Sequence, residues 1–325
     1  MKNFISFLII IVIFPIFSFA QEGKTEKKGT PIVRVFSNFY TGFGAENDVR
    51  GFYLDRSYLG YDYKLTKELS VRGVLDIGKS NDVDDYQRIA YIKNALITWK
   101  RDKFTLNGGL IPTTQFNFQE RFWANRYIMK SFQDEYKFGS SADLGLSVSY
   151  KFTDWFSADA IVVNGEGYKK IQKFDGLNYG LGMTLNPFRN FYLRLYGGIN
   201  EAGVSDKEDM VNMAAFVGYR CERFMIGAEY NHLLNATYQK NADQYGYSIY
   251  GSLKLNKFSN LFARFDDIYS KNDWNIDNDK QVILAGAEFK LCKYVKLAPN
   301  TRIVLPKGNE TKTACYAYIN CYFGI

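Results

Sequence analysis

The connections between strands constrain this chain more than the strands themselves. From Pro31 onward, apolar and polar residues alternate with a period of two in sixteen segments, the mark of half-exposed strands. Short connections fall at 64–68, 100–103, 153–154, 186–190, 220–222, 256–260 and 291–294. Longer ones fall near 44–50, 79–87, 113–141, 164–176, 201–209, 234–244, 270–280 and 305–312. Short and long therefore alternate down the chain, seven against eight. A soluble sandwich has no reason to sort its loops this way. An up-and-down barrel in a membrane gathers tight turns at one face and long loops at the other. A bilayer offers no water to unpaired backbone groups, so a strand-only chain crosses it only as a closed ring. The expected fold is all-β: a transmembrane antiparallel up-and-down β-barrel of about 16 strands.

The faces of the strands follow from the alternation. Leu69, Val71, Leu75 and Ile77 oppose Ser70, Arg72 and Asp76; Tyr179, Leu181, Met183 and Leu185 oppose Gly180, Gly182 and Thr184. Phe191, Leu193, Leu195 and Ile199 oppose Tyr192, Arg194, Tyr196 and Asn200, and Phe224, Ile226 and Tyr230 oppose Gly227, Glu229 and Asn231. Near 50–63 and 87–99 the phase does not resolve. Aromatics make up 17% of the chain, and the alternation assigns them to lipid-facing and interfacial positions such as Tyr150, Phe152, Trp155 and Phe156. Gly and Ser toward the interior would leave room and hydration there.

The N-terminus reads as an export signal. Lys2, an apolar run from Phe4 to Phe19 and Ala20 define a leader over 1–20, then a short flexible periplasmic lead-in over 21–31 and the barrel over 32–325. After residue 20 no apolar run is long enough for a membrane helix. The net charge of +7 is mild and does not point to nucleic acid. Cys315 and Cys321, six apart on one strand, are too distant to bridge, and Cys221 and Cys292 sit in separate turns, so all four read as free thiols. The single histidine, His232, removes most His-based metal sites and triads. No cofactor, metal site or catalytic residue is expected.

Loop 113–141 is the longest connection and is rich in aromatics rather than Gly and Ser. Phe118 with Phe122, and Trp123 with Tyr127, stand four apart, which predicts one or two helical turns. The nearest surface for such a loop is the barrel interior, and an infolded third extracellular loop is the expectation; an outer lid is the alternative. Folded inward, it would present Arg121, Arg126 and Lys130 beside Glu120, Asp134 and Glu135 at a constriction. The interior strand faces would add Arg34, Arg72, Lys151, Arg194, Lys254, Arg264, Lys296 and Arg302 against Asp76, Asp159, Glu229, Asp266 and Glu288. That excess of basic residues predicts weak anion preference at most, with Arg264 and Asp266 neutralising each other.

Residues 126–145, Arg-Tyr-Ile-Met-Lys-Ser-Phe-Gln-Asp-Glu-Tyr-Lys-Phe-Gly-Ser-Ser-Ala-Asp-Leu-Gly, resemble the segment joining the constriction loop to the next strand in porins of the porin O/P (phosphate-selective porin) family, in its Bacteroidetes-type members. Asn164-Gly-Glu-Gly-Tyr168, Leu261-Phe-Ala-Arg-Phe-Asp266 and Leu297-Ala-Pro-Asn300 are similar to further family features. The resemblance implies a sixteen-stranded outer-membrane barrel that passes small hydrophilic solutes and ions, often as a homotrimer, in a Gram-negative outer membrane rich in lipopolysaccharide. Phosphate selectivity belongs to members with an arginine-rich channel and does not follow from the resemblance alone.

Two other classes remain at this level. An outer-membrane lipid hydrolase would need His232 beside a nucleophile, and its same-face neighbours are Tyr230 and Leu234. A non-conducting binding or adhesion barrel would use the outer loops, whose acids include Glu46, Asp48, Asp82, Asp84, Asp85, Asp206, Glu208, Asp209, Asp243, Asp273, Asp277 and Asp279 without EF-hand spacing.

Overall fold

The computed structural model describes residues 29–79, 87–172, 175–308 and 312–325. The expected leader (1–20), most of the lead-in, and Asp82, Asp84 and Asp85 lie outside the described residues. The first eight strands are β1 (Gly29–Gly44), β2 (Arg50–Lys64), β3 (Leu69–Lys79), β4 (Arg88–Arg101), β5 (Phe104–Pro112), β6 (Ala142–Lys151), β7 (Phe156–Val163) and β8 (Asn178–Leu185). The second eight are β9 (Phe191–Asn200), β10 (Met210–Arg220), β11 (Phe224–Leu234), β12 (Gln244–Lys254), β13 (Ser259–Ser270), β14 (Lys280–Lys290), β15 (Val295–Pro306) and β16 (Ala314–Gly324). β1 starts at Gly29, so Gly29, Thr30 and Pro31 belong to the sheet rather than to a lead-in ending at 31.

Every strand pairs antiparallel with its sequence neighbours, and β1 pairs with β16, so the sheet is a closed barrel. The closing register runs from Arg34 opposite Gly324 to Gly44 opposite Ala314, and the Ile325 N–H donates to the Val33 carbonyl at 3.0 Å. Closure leaves no row of unpaired N–H and C=O groups along an edge. The tight turns lie at the end where β1 begins and β16 finishes; the loops at the other end are longer, except 45–49, which matches 186–190 in length.

The outer wall carries the apolar side of the alternation. Leu181, Leu146, Leu144, Ile226, Ile249 and Ile97 are exposed, and Phe52 is 89% exposed, the pattern of a surface meant for lipid. The assignment of aromatics to that wall and its margins is only half the picture. Phe36, Tyr58, Phe216, Tyr250 and Phe262 face inward and join the largest buried cluster. Their rings share that cluster with Phe122, Trp123, Tyr127, Ile128 and Met129 of the 113–141 connection.

Two strands break the alternation. The β1–β2 pairing shifts between Phe36 and Ser37, which leaves Asp55 as the extra residue on β2. The β3–β4 pairing shifts between Val74 and Leu75, which leaves Lys93 as the extra residue on β4. A β-bulge sends two consecutive side chains to the same face. Asp55 and Arg56 both turn inward, bonding Asn38 (2.8 Å) and Asp76 (3.3 Å). Lys93 and Asn94 do likewise, with Ile92 lipid-facing at 55% exposure. These are the stretches whose phase the sequence leaves unresolved.

Candidate functional site

Between β5 and β6 the chain forms two short helices, α1 (Asn117–Trp123) and α2 (Phe132–Glu135). Four-residue spacing places Phe118 over Phe122 at 6.5 Å between ring centroids, nearly parallel. Ala124 then adopts a left-handed conformation, φ 61°, and ends α1. Tyr127 therefore stands beyond the helix, and the expected helical pairing of Trp123 with Tyr127 does not form.

The segment is bonded mainly to an arc of strands from β9 to β16, Arg194 of β9 donating to the Thr114 carbonyl at 2.6 Å, with one further bond from Lys93 of β4 to Ser141. The Tyr127 hydroxyl donates to Glu288 at 2.9 Å, Gln133 Nε2 to Asn231 at 2.6 Å, and the Tyr136 hydroxyl to Asp266 at 3.0 Å. In the other direction, Arg264 donates to the Lys130 carbonyl at 2.6 Å and Asn320 to the Tyr127 carbonyl at 3.1 Å. Arg220 and Arg302 donate to the carbonyls of Phe122 and Ile128. These donors satisfy backbone that forms no regular ladder, which is what a buried loop requires.

Packing is equally specific. Trp123 is fully buried, edge-on to Tyr250 at 5.2 Å, and its indole N–H reaches the Met129 carbonyl at 2.8 Å. Phe122 lies over Gly218 of β10, where a Cβ would come within 2.5 Å of its ring. Phe132 lies over Gly246 of β12 closely enough that a Cβ there would overlap it. The glycines leave room, as expected, but aromatic rings occupy it instead of water.

Within the segment, Arg126 donates to both Glu120 and Asp134. Burial alone would lift the Asp134 carboxyl; Arg126 and Lys130 overcome that and hold it below its ordinary value of 3.8. Of the six expected constriction residues, Glu120, Arg126 and Asp134 thus form one ionic cluster. Arg121 is exposed and takes no part in it; Lys130 and Glu135 are half-buried, Lys130 held through its carbonyl.

The strand candidates occupy the face opposite the exposed apolar residues, yet most are already paired. Arg194 grips Asp159 with both terminal nitrogens (2.7 and 3.0 Å), and Arg264 grips Asp266 at 2.7 Å twice. Lys296 meets Glu288 at 3.0 Å, Arg72 meets Asp62 at 2.5 Å, and Lys151 meets Asp154 at 2.7 Å. Glu229 is buried with Asn231 at 3.3 Å, while Arg34 and Lys254 are exposed near the short-turn end. Charges paired in this way contribute little field to a passing ion.

The less neutralised charges are ones that the alternation does not reveal. Lys93, on its bulge, places its ammonium 5.0 Å from the Tyr58 ring and 5.3 Å from Tyr168, and donates to Ser141. Lys169 lies over Tyr91 at 5.0 Å. It is positioned by the turn before it, where Asp143 accepts from the N–H groups of Gly165 and Gly167 at 2.7 and 3.1 Å. Arg56 shares Asp76 with the Tyr168 hydroxyl, which donates at 2.5 Å. Burial, then Arg56 nearby, pulls the Lys169 ammonium below its ordinary range. The broken phase at 87–99 was the one signal in the sequence for Lys93.

All four cysteines are free thiols. His232 stacks on Tyr245 at 4.1 Å, and its Nε2 has no hydrogen-bond partner. Among the described residues no group of three or more His, Cys, Asp or Glu is placed to hold a metal.

Comparison with solved structures places this architecture. OmpF of Salmonella typhi, in complex with daunomycin, superposes with a TM-score of 0.72 at 10% identity, covering 92% of this chain and 98% of that one. The fold is that of the outer-membrane porins. OprB of Pseudomonas putida gives 0.72 at 11% identity over 91% and 94% of the two chains. An anion-selective porin from Comamonas acidovorans gives 0.67 at 12% over 92% and 100%. No protein-family model and no curated protein matches the sequence.

Proposed function

We propose that this chain is an outer-membrane porin of a Gram-negative bacterium, of the Bacteroidetes-type porin O/P kind that its sequence resembles. It passes small hydrophilic solutes and ions by diffusion and favours anions weakly. In this reading residues 113–141 lie inside the barrel as the constriction, fastened mainly to the arc from β9 to β16. The free passage runs between that segment and β2, β3 and β4, where Arg56, Lys93 and Lys169 face it.

The observation that carries the reading is the imbalance on those two sides. On the loop Arg126 bridges Glu120 and Asp134 and Lys130 stands near them, whereas Lys93 and Lys169 meet aromatic rings and a hydroxyl. Net positive charge at the narrowest, low-dielectric point lowers the barrier for anions. The barrel is surrounded by outer-membrane lipid and lipopolysaccharide, and a homotrimer belongs to the same reading. The leader over 1–20 would direct export.

The test is a reversal potential in a salt gradient across planar bilayers holding the refolded chain. Weak anion preference is the expected result, and clear cation preference overturns it. One observation favours a second reading. The buried cluster joining the loop to the wall is extensive, as it would be in a plugged barrel that binds a partner without conducting. Absence of single-channel conductance would select that reading.

A further inference from the structure

Toward the long-loop end, the inner face of three neighbouring strands carries a stack. The Arg302 guanidinium of β15 lies over the Tyr318 ring of β16 at 4.1 Å. Tyr318 in turn stacks on Tyr40 of β1, with 5.7 Å between centroids and 25° between planes. Tyr318 and Tyr40 are directly opposite in the register. The stack therefore follows the hydrogen-bonding direction of the sheet, in which strands succeed one another every ~4.8 Å. The next position in that direction is Gly51 of β2, opposite Tyr40. No described atom lies within 4 Å of where a Cβ on Gly51 would stand. The row reads cation, ring, ring and then an open place one strand wide. Beside it, Tyr53 follows Gly51 on the same face and is 39% exposed. Asn38, opposite Tyr53, donates from its amide nitrogen to Asp55 at 2.8 Å, and its buried Oδ1 has no partner among the described residues. Arg302 is already held by the Ile128 carbonyl and by Asn300, so the cation of the stack is not free for an anion.

We infer that the open place beside Tyr40 is a binding site for one pyranose ring of a neutral saccharide. A pyranose presents a flat face of C–H groups, which an aromatic face takes up. Its edge is a row of hydroxyls, which donate to amide and carboxylate oxygens. An anion is repelled by the Asp55 carboxylate and finds no donor in the Asn38 oxygen. A wholly apolar ring would bury that oxygen and leave it unsatisfied. Tyr318 and Arg302 hold Tyr40 in place from behind, so little ordering is required when a ring settles on its free face. The site needs only the closed sheet and holds whether or not the barrel conducts.

Saturation-transfer NMR on the refolded full chain, in a detergent without a sugar headgroup, reads the site directly. Glucose, galactose and maltose are the probes. Sorbitol, which carries the hydroxyls without a ring, is the reference, and inorganic phosphate is added as a competitor. The expected result is transfer to the C–H protons on one face of a pyranose, little transfer to sorbitol and no displacement by phosphate. Gly51→Phe puts a ring of the chain's own into the open place and should weaken pyranose binding about tenfold, with the folded band in gel electrophoresis unchanged. Tyr40→Ala should weaken it by a similar factor, and Tyr40→Phe should keep most of it, because the aromatic face is retained. Should Gly51→Phe fail to fold, the contrast between the two Tyr40 variants decides. No transfer to any pyranose, equal transfer to sorbitol, displacement by phosphate, a folded Gly51→Phe that binds like the parent or a Tyr40→Ala that binds like Tyr40→Phe overturns the inference.

Discussion

Gly246 of β12 and Phe132 of α2 touch so closely that the strand position admits no side chain. The helix of the long loop is therefore seated on bare backbone, and the seat is a single residue wide. Gly246→Val should displace Phe132, which is fully buried, and cost about 1–3 kcal/mol from overpacking. The loss should appear as a lower temperature at which the folded band gives way to the unfolded one in gel electrophoresis. Gly197, which has open space around its Cβ position, should tolerate Val without that change.

Arg264 and Asp266, two residues apart on β13, form a buried pair with two bonds of 2.7 Å. Breaking it from one side leaves an uncompensated charge. Asp266→Asn or Arg264→Met alone should destabilise by about 3–5 kcal/mol, whereas the double replacement should recover part of that. Arg264 also holds the Lys130 carbonyl, so the recovery in the double variant should be incomplete and loop noise should rise in its single-channel traces. Denaturant midpoints for the four proteins close the cycle.

Ion selectivity should respond to the bulge residues more than to the paired strand charges. Lys93→Gln should move the reversal potential toward cations, by about twofold or more in permeability ratio. Arg72→Gln, whose charge is matched by Asp62, should move it little. The comparison is read in the same salt gradient.

Acid should loosen the loop only below the usual carboxylate range. Asp134 has its value depressed in the folded chain, so its bond to Arg126 contributes in full above the unfolded value of 3.8 and is lost as pH falls through the lower folded one. Current noise from single channels should stay flat down to about pH 4 and rise beneath it. Asp134→Asn should show the raised noise at every pH.

The ring of strands was legible because loop length and period-two alternation are separate signals that agree. All seven short turns sit between strands that the structure pairs. The faces of β3, β8, β9 and β11 were legible for the same reason. Bulges were not, since an extra residue such as Lys93 breaks the phase without saying which side it faces. The interior aromatics were misjudged because period two alone does not distinguish a Tyr facing lipid from one facing a loop: β12 carries Tyr245 and Tyr247 on one face and Tyr250 on the other. What fixes Tyr250 inside is Trp123, more than a hundred residues earlier. Pairings such as Arg194 with Asp159, across three strands and 35 positions, carry no local mark at all.

The bond between the Ile325 N–H and Val33 joins the last strand to the first. Sheet order follows chain order around the whole ring, so the final seam has no partner strands until both ends of the sequence are present. Any shorter portion of the chain would present two unpaired strand edges, which a bilayer of the proposed kind does not tolerate. In the proposed outer-membrane setting, closing that seam is the step that completes the ring. Shortening β16 should therefore block assembly outright rather than yield a smaller, weaker barrel.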